Sequence, residues 1–233
     1  AKGRAVINLL PLQPGEHVVK LLCTRDLEKN YVIMLTKNGI IKRTEGSDFV
    51  KIRSTGIRAL TLREDEKDEL VFCAVSTGNC SIIIATEHGQ GIRFKEDEVR
   101  AMGRQAAGVI GIRLKGKDSV VGMEVISDST KDLLFATAHG YGKRVKITDF
   151  RVAHRGGLGV RTIPTDARNG LVIGLAVVAE ESHLLLIDTN GKIIRLSPHE
   201  IRTMGRQAKG VRLVRVDEGQ TLAAVVAFEE EAG

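Results

Sequence analysis

Thr36-Lys37-Asn38-Gly39-Ile40-Ile41-Lys42-Arg43 decides the reading of the whole chain, because it returns three times. It comes back as Thr86-Glu87-His88-Gly89 with Arg93, as Thr137-Ala138-His139-Gly140 with Arg144 and, with Asp leading, as Asp188-Thr189-Asn190-Gly191 with Arg195. The glycines are 50, 51 and 51 residues apart. Beyond each arginine stands an acid, Asp48, Glu98, Asp149 or Glu200, followed by an apolar residue, Phe49, Val99, Phe150 or Ile201. A second glycine series, Gly56, Gly108, Gly159 and Gly210, keeps nearly the same period. Self-similarity at this spacing marks an array of supersecondary units.

Each unit reads as four strands. Tyr31 to Thr36, Ile82 to Thr86, Leu133 to Thr137 and Leu184 to Asp188 are short runs of β-formers. Return strands follow at Ile40 to Thr44, Gly91 to Lys95, Lys143 to Ile147 and Ile193 to Leu196. Third strands are predicted at Ile57 to Leu62, Val109 to Leu114, Val160 to Ile163 and Val211 to Val216. Last strands are predicted at Leu70 to Val75, Val120 to Ile126, Leu171 to Val178 and Leu222 to Phe228. Asn-Gly at two hairpin tips predicts two-residue turns with positive φ at both central residues, and His-Gly stands in for it at the other two.

First and last strands are apolar on both faces, which a lone four-stranded sheet cannot bury and sheets stacked about an axis can. The fold class is therefore all-β: a propeller-like array of four-stranded blades of about 51 residues, with helix minor. The units fall at 27–78, 79–128, 129–179 and 180–233, within a single domain covering 1–233. Gly3 to Leu10 and Val18 to Cys23 align with third and fourth strands, so 1–26 reads as the tail of a preceding blade. A chain that opens at Ala1 in mid-array reads as a piece of a longer one.

Composition narrows the function. Of 233 residues, 42% are apolar, which suits a globular chain and not a disordered one. The longest apolar run, Leu171 to Ala179, is too short to span a bilayer as a helix, and no leader peptide is visible. Cys23, Cys73 and Cys80 form no CxxC, which excludes a zinc ribbon or disulfide framework and fits a reducing cytoplasm. A net charge of +6 biases the surface toward polyanions, while six Phe, two Tyr and no Trp leave few rings to stack single-stranded bases.

The sharpest local sequence precedes the second glycine series. Arg100-Ala101-Met102-Gly103-Arg104-Gln105-Ala106-Ala107-Gly108 nearly repeats as Arg202-Thr203-Met204-Gly205-Arg206-Gln207-Ala208-Lys209-Gly210. The unit between has Arg151-Val152-Ala153-His154-Arg155-Gly156-Gly157-Leu158-Gly159, and the first has Lys51-Ile52-Arg53-Ser54-Thr55-Gly56. Glycine lets a backbone N–H approach an anion, and arginine offers a planar fork to phosphate oxygens. Once per unit, such loops would lay a basic track suited to a duplex backbone read without sequence. The plainer alternative is turn glycine beside solvated arginine. The DNA-binding candidates are Arg53, Arg100, Arg104, Arg151, Arg155, Arg202, Arg206 and Lys209. Arg43, Arg93, Arg144 and Arg195 read as ion pairs with the acids five residues on, and Lys42 and Lys143, on the opposite strand face, as freer charges added to the DNA track.

Catalytic signals are poor. Gly111 to Asp118 fits GxxxxGK, but Asp118 replaces the magnesium-binding hydroxyl and no helix follows. The six histidines show no metal-ligand spacing. Asn79-Cys80-Ser81 matches a glycosylation sequon in a chain with no sign of secretion. No catalytic, cofactor-binding or metal residues are assigned.

The chain resembles the C-terminal domain of the bacterial DNA gyrase A subunit, a propeller-like β-pinwheel, over essentially its whole length. The resemblance rests on Lys2-Gly3-Arg4 to Asn8-Leu9-Leu10-Pro11-Leu12, Arg100 to Arg104, Ala138-His139-Gly140-Tyr141-Gly142-Lys143-Arg144, and Gly205-Arg206 to Gly210-Val211-Arg212-Leu213. It implies a non-catalytic domain that wraps double-stranded DNA about a basic perimeter, so that ATP-driven strand passage introduces negative supercoils. The implied partners are duplex DNA of any sequence, the gyrase B subunit, and the rest of the gyrase A chain in an A2B2 enzyme, with ATP and Mg2+ used elsewhere and no membrane contact. The family's Gln-Arg-Arg-Gly-Gly-Lys-Gly type box is absent; Ala153 to Gly159 echoes it with Leu158 in the lysine position. Without the box, the sister domain of the topoisomerase IV A subunit stays open as an alternative. More remote is a propeller-type protein-interaction scaffold.

Overall fold

Fifteen strands and a few 3₁₀ turns account for the regular structure of the computed structural model, which describes residues 10, 12–52, 56–63 and 67–229. The strands are β1 Tyr31–Thr36, β2 Ile40–Glu45, β3 Leu70–Ser76, β4 Ser81–Thr86, β5 Gln90–Lys95, β6 Val109–Ile110, β7 Val120–Ile126, β8 Asp132–Thr137, β9 Tyr141–Lys146, β10 Val160–Arg161, β11 Val172–Val178, β12 His183–Asp188, β13 Ile193–Leu196, β14 Val211–Arg212 and β15 Leu222–Phe228. They form three four-stranded sheets, ordered β3-β1-β2-β6, β7-β4-β5-β10 and β11-β8-β9-β14, and a three-stranded sheet, β15-β12-β13. All pairings within the sheets are antiparallel.

The expected blades are present, but each of the three four-stranded ones takes its outer strand from the next unit, while the last sheet draws its three strands from 180–233 alone. The third strands of the second, third and fourth units leave their own hairpins and pair with that of the unit before: Val109 opposite Ile41, Val160 opposite Gly91, Val211 opposite Gly142. These third strands are two residues long, shorter than the sequence suggests, because the chain peels away after Ile110, Arg161 and Arg212. Ile57 to Leu62 and Val18 to Cys23 form no strand, and Gly3 to Leu9 lie outside the described residues.

The hairpin tips also differ from expectation. Asn38, His88, His139 and Asn190 do not have positive φ; among the described residues the only non-glycine that does is Lys67. Only the glycines turn left-handed, with φ from +79° to +84° at Gly39, Gly89, Gly140 and Gly191. Each glycine N–H donates to the carbonyl three residues back, at 3.0 Å. The result is a turn with a single left-handed glycine after it, the longer-loop hairpin solution.

The two-sided strands work as wedges between sheets. Ile82 and Ile84 of β4 pack with Ile33, Leu35 and Ile41 of the sheet before, while Ile83 and Ala85 pack with Leu133, Phe135 and Val145 of the sheet after. A smaller cluster of Leu134, Val178, Leu184 and Ile201 joins the last two sheets. Burying alternate residues in two different interfaces is what a run such as Ile-Ile-Ile-Ala demands.

Candidate nucleic-acid interface

The basic loops are mounted on the hairpin of the preceding unit. At the entrance, the N–H groups of Met102, Ala153 and Met204 donate to the carbonyls of Arg43, Arg93 and Arg144, each at 2.8 Å. At the exit stand Gly108, Gly159 and Gly210, with φ of +99°, +74° and +83°. A Cβ on any of them would lie 2.4–2.6 Å from the carbonyl oxygen of Ile41, Gly91 or Gly142, so both the turn and the close approach require glycine. Gly56 has the same backbone (φ +78°) with nothing within 4 Å of its Cβ position.

Between these mounts the loops differ. Lys42 and Lys143 are fully buried, which corrects their assignment as free charges on the DNA track. The Lys143 ammonium donates to the carbonyls of Gly205, Arg206 and Ala208 at 2.9, 2.6 and 2.7 Å. Lys42 donates to those of Arg104 and Ala59 at 2.6 and 2.7 Å. Burial lowers the pKa of both lysines, that of Lys143 to about 8, with the Arg206 guanidinium adding to the effect. A stem on a buried strand can still carry a charge when loop carbonyls close over it; alternation alone does not reveal that cover. In the middle unit Ile92 takes the lysine position, and beneath its loop lies a cavity of about 170 Å³ lined by Ile92, Phe150, Ala153 and Leu158 among others.

Of the remaining candidates, Arg100, Arg151 and Arg202 are exposed at the head of each loop. Arg104 and Arg206 are half-buried at the loop centre. Arg104 meets Lys51 and Arg58 around an open polar cleft, and the Arg206 guanidinium lies over the Phe150 ring with its centre 5.8 Å away. Lys209 pairs with Asp166 at 2.6 Å. Arg155 is held in place: its N–H donates to Glu98 at 3.0 Å, and its side chain donates to the carbonyls of Glu98 and Ile110. Arg53 lies outside the described residues.

Among the described residues, Arg43, Arg93 and Arg144 do not pair with the acids five residues on. Arg43 meets Glu96 at 3.4 Å, Arg93 donates to the carbonyls of Ile147 and Phe150, and Arg144 meets Asp132 and Glu180 while donating to the carbonyl of Pro198. Glu96, Ile147 and Pro198 each open the 3₁₀ turn of the following unit. Each of these three arginines thus clamps the next blade, and Arg144 also holds Asp132 of its own sheet. Glu98, expected to hold Arg93, instead receives contacts from His154 and Arg155 of loop 151–159.

Sequence reasoning missed a further basic series two residues after the second glycines. Arg58, Arg161 and Arg212 are all exposed beside the loops, with Ile110 in the equivalent place. Arg212 also donates to the Tyr141 hydroxyl at 2.7 Å, and with Arg168 it lowers the pKa of that phenol. The signal was present in Gly56-Ile57-Arg58, Gly159-Val160-Arg161 and Gly210-Val211-Arg212.

The family described as DNA gyrase C-terminal domain, beta-propeller, matches residues 30–77, 81–127, 131–179 and 183–229. The DNA gyrase A subunit of Staphylococcus epidermidis (strain ATCC 12228 / FDA PCI 1200) is 39% identical over 234 residues, covering 99% of this chain and 26% of that protein. Its counterpart in Staphylococcus aureus (strain MRSA252) is 38% identical over 235 residues, covering 100% and 26%. The chain thus spans about a quarter of the length of the curated relatives it matches. Among solved structures, the C-terminal domain of DNA topoisomerase IV superposes with a TM-score of 0.90 at 26% identity, covering 97% of this chain and 71% of that one. The DNA gyrase A C-terminal domain superposes with a TM-score of 0.87 at 25% identity, covering 98% and 76%.

Proposed function

The chain belongs to the DNA gyrase C-terminal domain family, and from that premise we propose that it is a single, non-catalytic domain that wraps duplex DNA around its basic rim. The observation that carries this reading is the mounting of three arginine loops at one equivalent place on successive hairpins. Arginines repeated on one rim of stacked sheets offer a curved line of phosphate contacts, and backbone contacts of this kind do not depend on base sequence. Arg100, Arg104, Arg151, Arg202 and Arg206, joined by Lys51, Arg58, Arg161 and Arg212, make that line.

In the parent protein the wrapped segment would be handed to the cleavage parts of a type IIA topoisomerase, an A2B2 DNA gyrase of the bacterial cytoplasm. ATP-driven strand passage there would then add negative supercoils. The topoisomerase IV domain is the second reading, favoured by the 0.90 superposition and opposed by the gyrase A relatives at 38–39% identity.

Gel shifts on unrelated duplexes at several salt concentrations test the binding. With about six to eight phosphates neutralised, log affinity falls against log salt with a slope of about −5 to −7. Relaxing a nicked and religated plasmid in the presence of the domain tests the wrap: a shift in linking number is expected from a wrapping domain, whereas tight binding without a shift supports the second reading. Salt-insensitive or strongly sequence-selective binding overturns both.

A further inference from the structure

Lys42 and Lys143 are too deeply buried to touch a DNA phosphate, yet each stands directly beneath a loop that carries a candidate DNA arginine. The chemistry of the arrangement lies in the carbonyls. A trans peptide is planar, and its C=O and N–H point in opposite directions; the described residues contain no cis peptide. A carbonyl drawn inward to an ammonium therefore turns the next residue's N–H outward. The inward carbonyls of Gly205, Arg206 and Ala208 do this to the N–H groups of Arg206, Gln207 and Lys209. The inward carbonyl of Arg104 does the same for Gln105. Successive outward N–H groups form a concave anion site, and the loop arginine supplies charge beside it.

We propose that Lys42 and Lys143 are positioning residues that shape loops 100–108 and 202–210 into backbone anion sites for duplex phosphates, and that the loop around Gln207 and Lys209 is the more complete of the two. The inference rests on the DNA-binding reading and names the phosphate-binding atoms within it. It also separates the three loops. Ile92 draws in no carbonyl, and beneath loop 151–159 there is a cavity lined by Ile92, Phe150 and Leu158 together with Arg93, Arg151 and His154, where the other two loops have an ammonium. Arg155 of that loop donates through Nε and Nη1 to the carbonyls of Glu98 and Ile110 at 2.9 and 3.0 Å, whereas Arg206 makes one longer bond, to the Arg161 carbonyl at 3.4 Å, so the Arg155 guanidinium is the more committed within the protein. Two strong phosphate grips, a unit apart on either side of a weaker one, are the expected pattern along the rim.

The test uses the whole 233-residue chain and a duplex of about 40 base pairs and arbitrary sequence, long enough to follow a curved rim. Lys143→Met keeps the apolar stem and removes the ammonium. It should weaken binding about fivefold to tenfold and make the salt slope shallower by about one, although the side chain never meets solvent. Arg206→Ala should weaken wild type clearly and the Lys143→Met variant much less, because the arginine acts only from the shaped loop. A purely structural lysine would instead lower the melting temperature and leave the two substitutions additive. Should Lys143→Met fold poorly, amide chemical shifts of wild type titrated with the duplex decide: Gln207 and Lys209 should move at least as far as any amide of loop 151–159. Normal binding by a folded Lys143→Met chain, or unmoved Gln207 and Lys209 amides in a bound complex, overturns the proposal. Failure of wild type to bind the duplex at all refutes the DNA reading and not the geometry beneath it.

Discussion

Loops 202–210 and 151–159 share both mounts and differ in what fills them. Each enters through an N–H donated to a hairpin arginine carbonyl at 2.8 Å and leaves through a left-handed glycine packed on a hairpin carbonyl. One closes over a buried ammonium; the other closes over Ile92 and a cavity and ties its arginine back to Glu98. Architecture and recognition are therefore separable in this fold. The glycines and backbone bonds fix where a loop sits, and one residue on the strand beneath decides which way its peptides face.

The largest effects belong to the shared mounts. Gly210→Ala forces a residue with a Cβ to φ +83°, costing about 1–2 kcal/mol, and places that Cβ 2.4 Å from the Gly142 carbonyl oxygen. Adding the strain of an overpacked backbone contact, about 1–3 kcal/mol, the total should reach about 3–4 kcal/mol in urea unfolding. Gly159→Ala should match it, since its Cβ would meet the Gly91 carbonyl oxygen at 2.5 Å. Gly56→Ala should cost only the backbone part, about 1–2 kcal/mol, because nothing lies within 4 Å. Equal costs at all three glycines would show that the mounts are not what hold the loops.

This grading explains how much was legible in the sequence. The period, the first two strands of every unit and the sheet class follow from Thr36 to Arg43 and its repeats, because hairpin strands obey local alternation. The exchange of third strands between units was hidden, since nothing in Gly108-Val109-Ile110 names the hairpin it joins. Spacing misled at the hairpin arginines for a related reason: a five-residue separation is close in the chain, while Glu96, Asp132 and the 3₁₀ turns are close in space. The buried lysines failed most instructively. Lys42 and Lys143 read as solvent charges because their strand face should be polar, and only the loop of the following unit covers them.

The hairpin clamps come next in size. Arg144 is nearly buried and holds Asp132, itself 9% exposed, together with Glu180 and the carbonyl of Pro198. Arg144→Ala leaves the mostly buried Asp132 carboxylate without its guanidinium, hydrogen-bonded by the Thr203 hydroxyl in a cleft shared with Glu180 and Glu181; breaking such a pair costs about 3 kcal/mol. Arg93 contacts carbonyls and no carboxylate, so Arg93→Ala strands no charge and should cost about 1 kcal/mol. Thermal melts of the two variants give the contrast directly. Duplex affinity should follow neither substitution once the folded fraction is allowed for.

Recognition should divide the loops the other way. Arg206→Ala removes one phosphate contact, weakening duplex binding about fivefold and making the salt slope shallower by about one, with little change in melting temperature. Arg155→Ala frees the carbonyls of Glu98 and Ile110 while the backbone N–H of residue 155 keeps its bond to the Glu98 carboxylate, so it should lower stability by about 1–2 kcal/mol and leave the salt slope unchanged. Gel shifts at two salt concentrations, paired with melts, place each arginine on one side or the other. A steeper loss of affinity in Arg155→Ala than in Arg206→Ala would invert the comparison.

The smallest effect is the pH dependence that the Lys143 ammonium gives to loop 202–210 and that loop 151–159, over Ile92, lacks. Burial lowers the Lys143 pKa from its ordinary value of 10.5 to about 8, and the one charged group that pushes the same way is the Arg206 guanidinium. Below pH 8 the ammonium is kept and all three carbonyls are held; above it a neutral amine has two N–H donors for three acceptors, and the loop loosens. Duplex affinity of wild type should therefore fall about twofold between about pH 7 and pH 9 at constant salt, and that of Lys143→Met should stay level. The contribution to folding runs in the opposite sense. Between pH 8 and 10.5 the unfolded chain binds more protons at this lysine than the folded one, so this residue raises stability with pH across that window while binding declines. Parallel melts and gel shifts across the window separate the two trends, and a wild-type affinity that tracks stability upward would remove Lys143 from the recognition site.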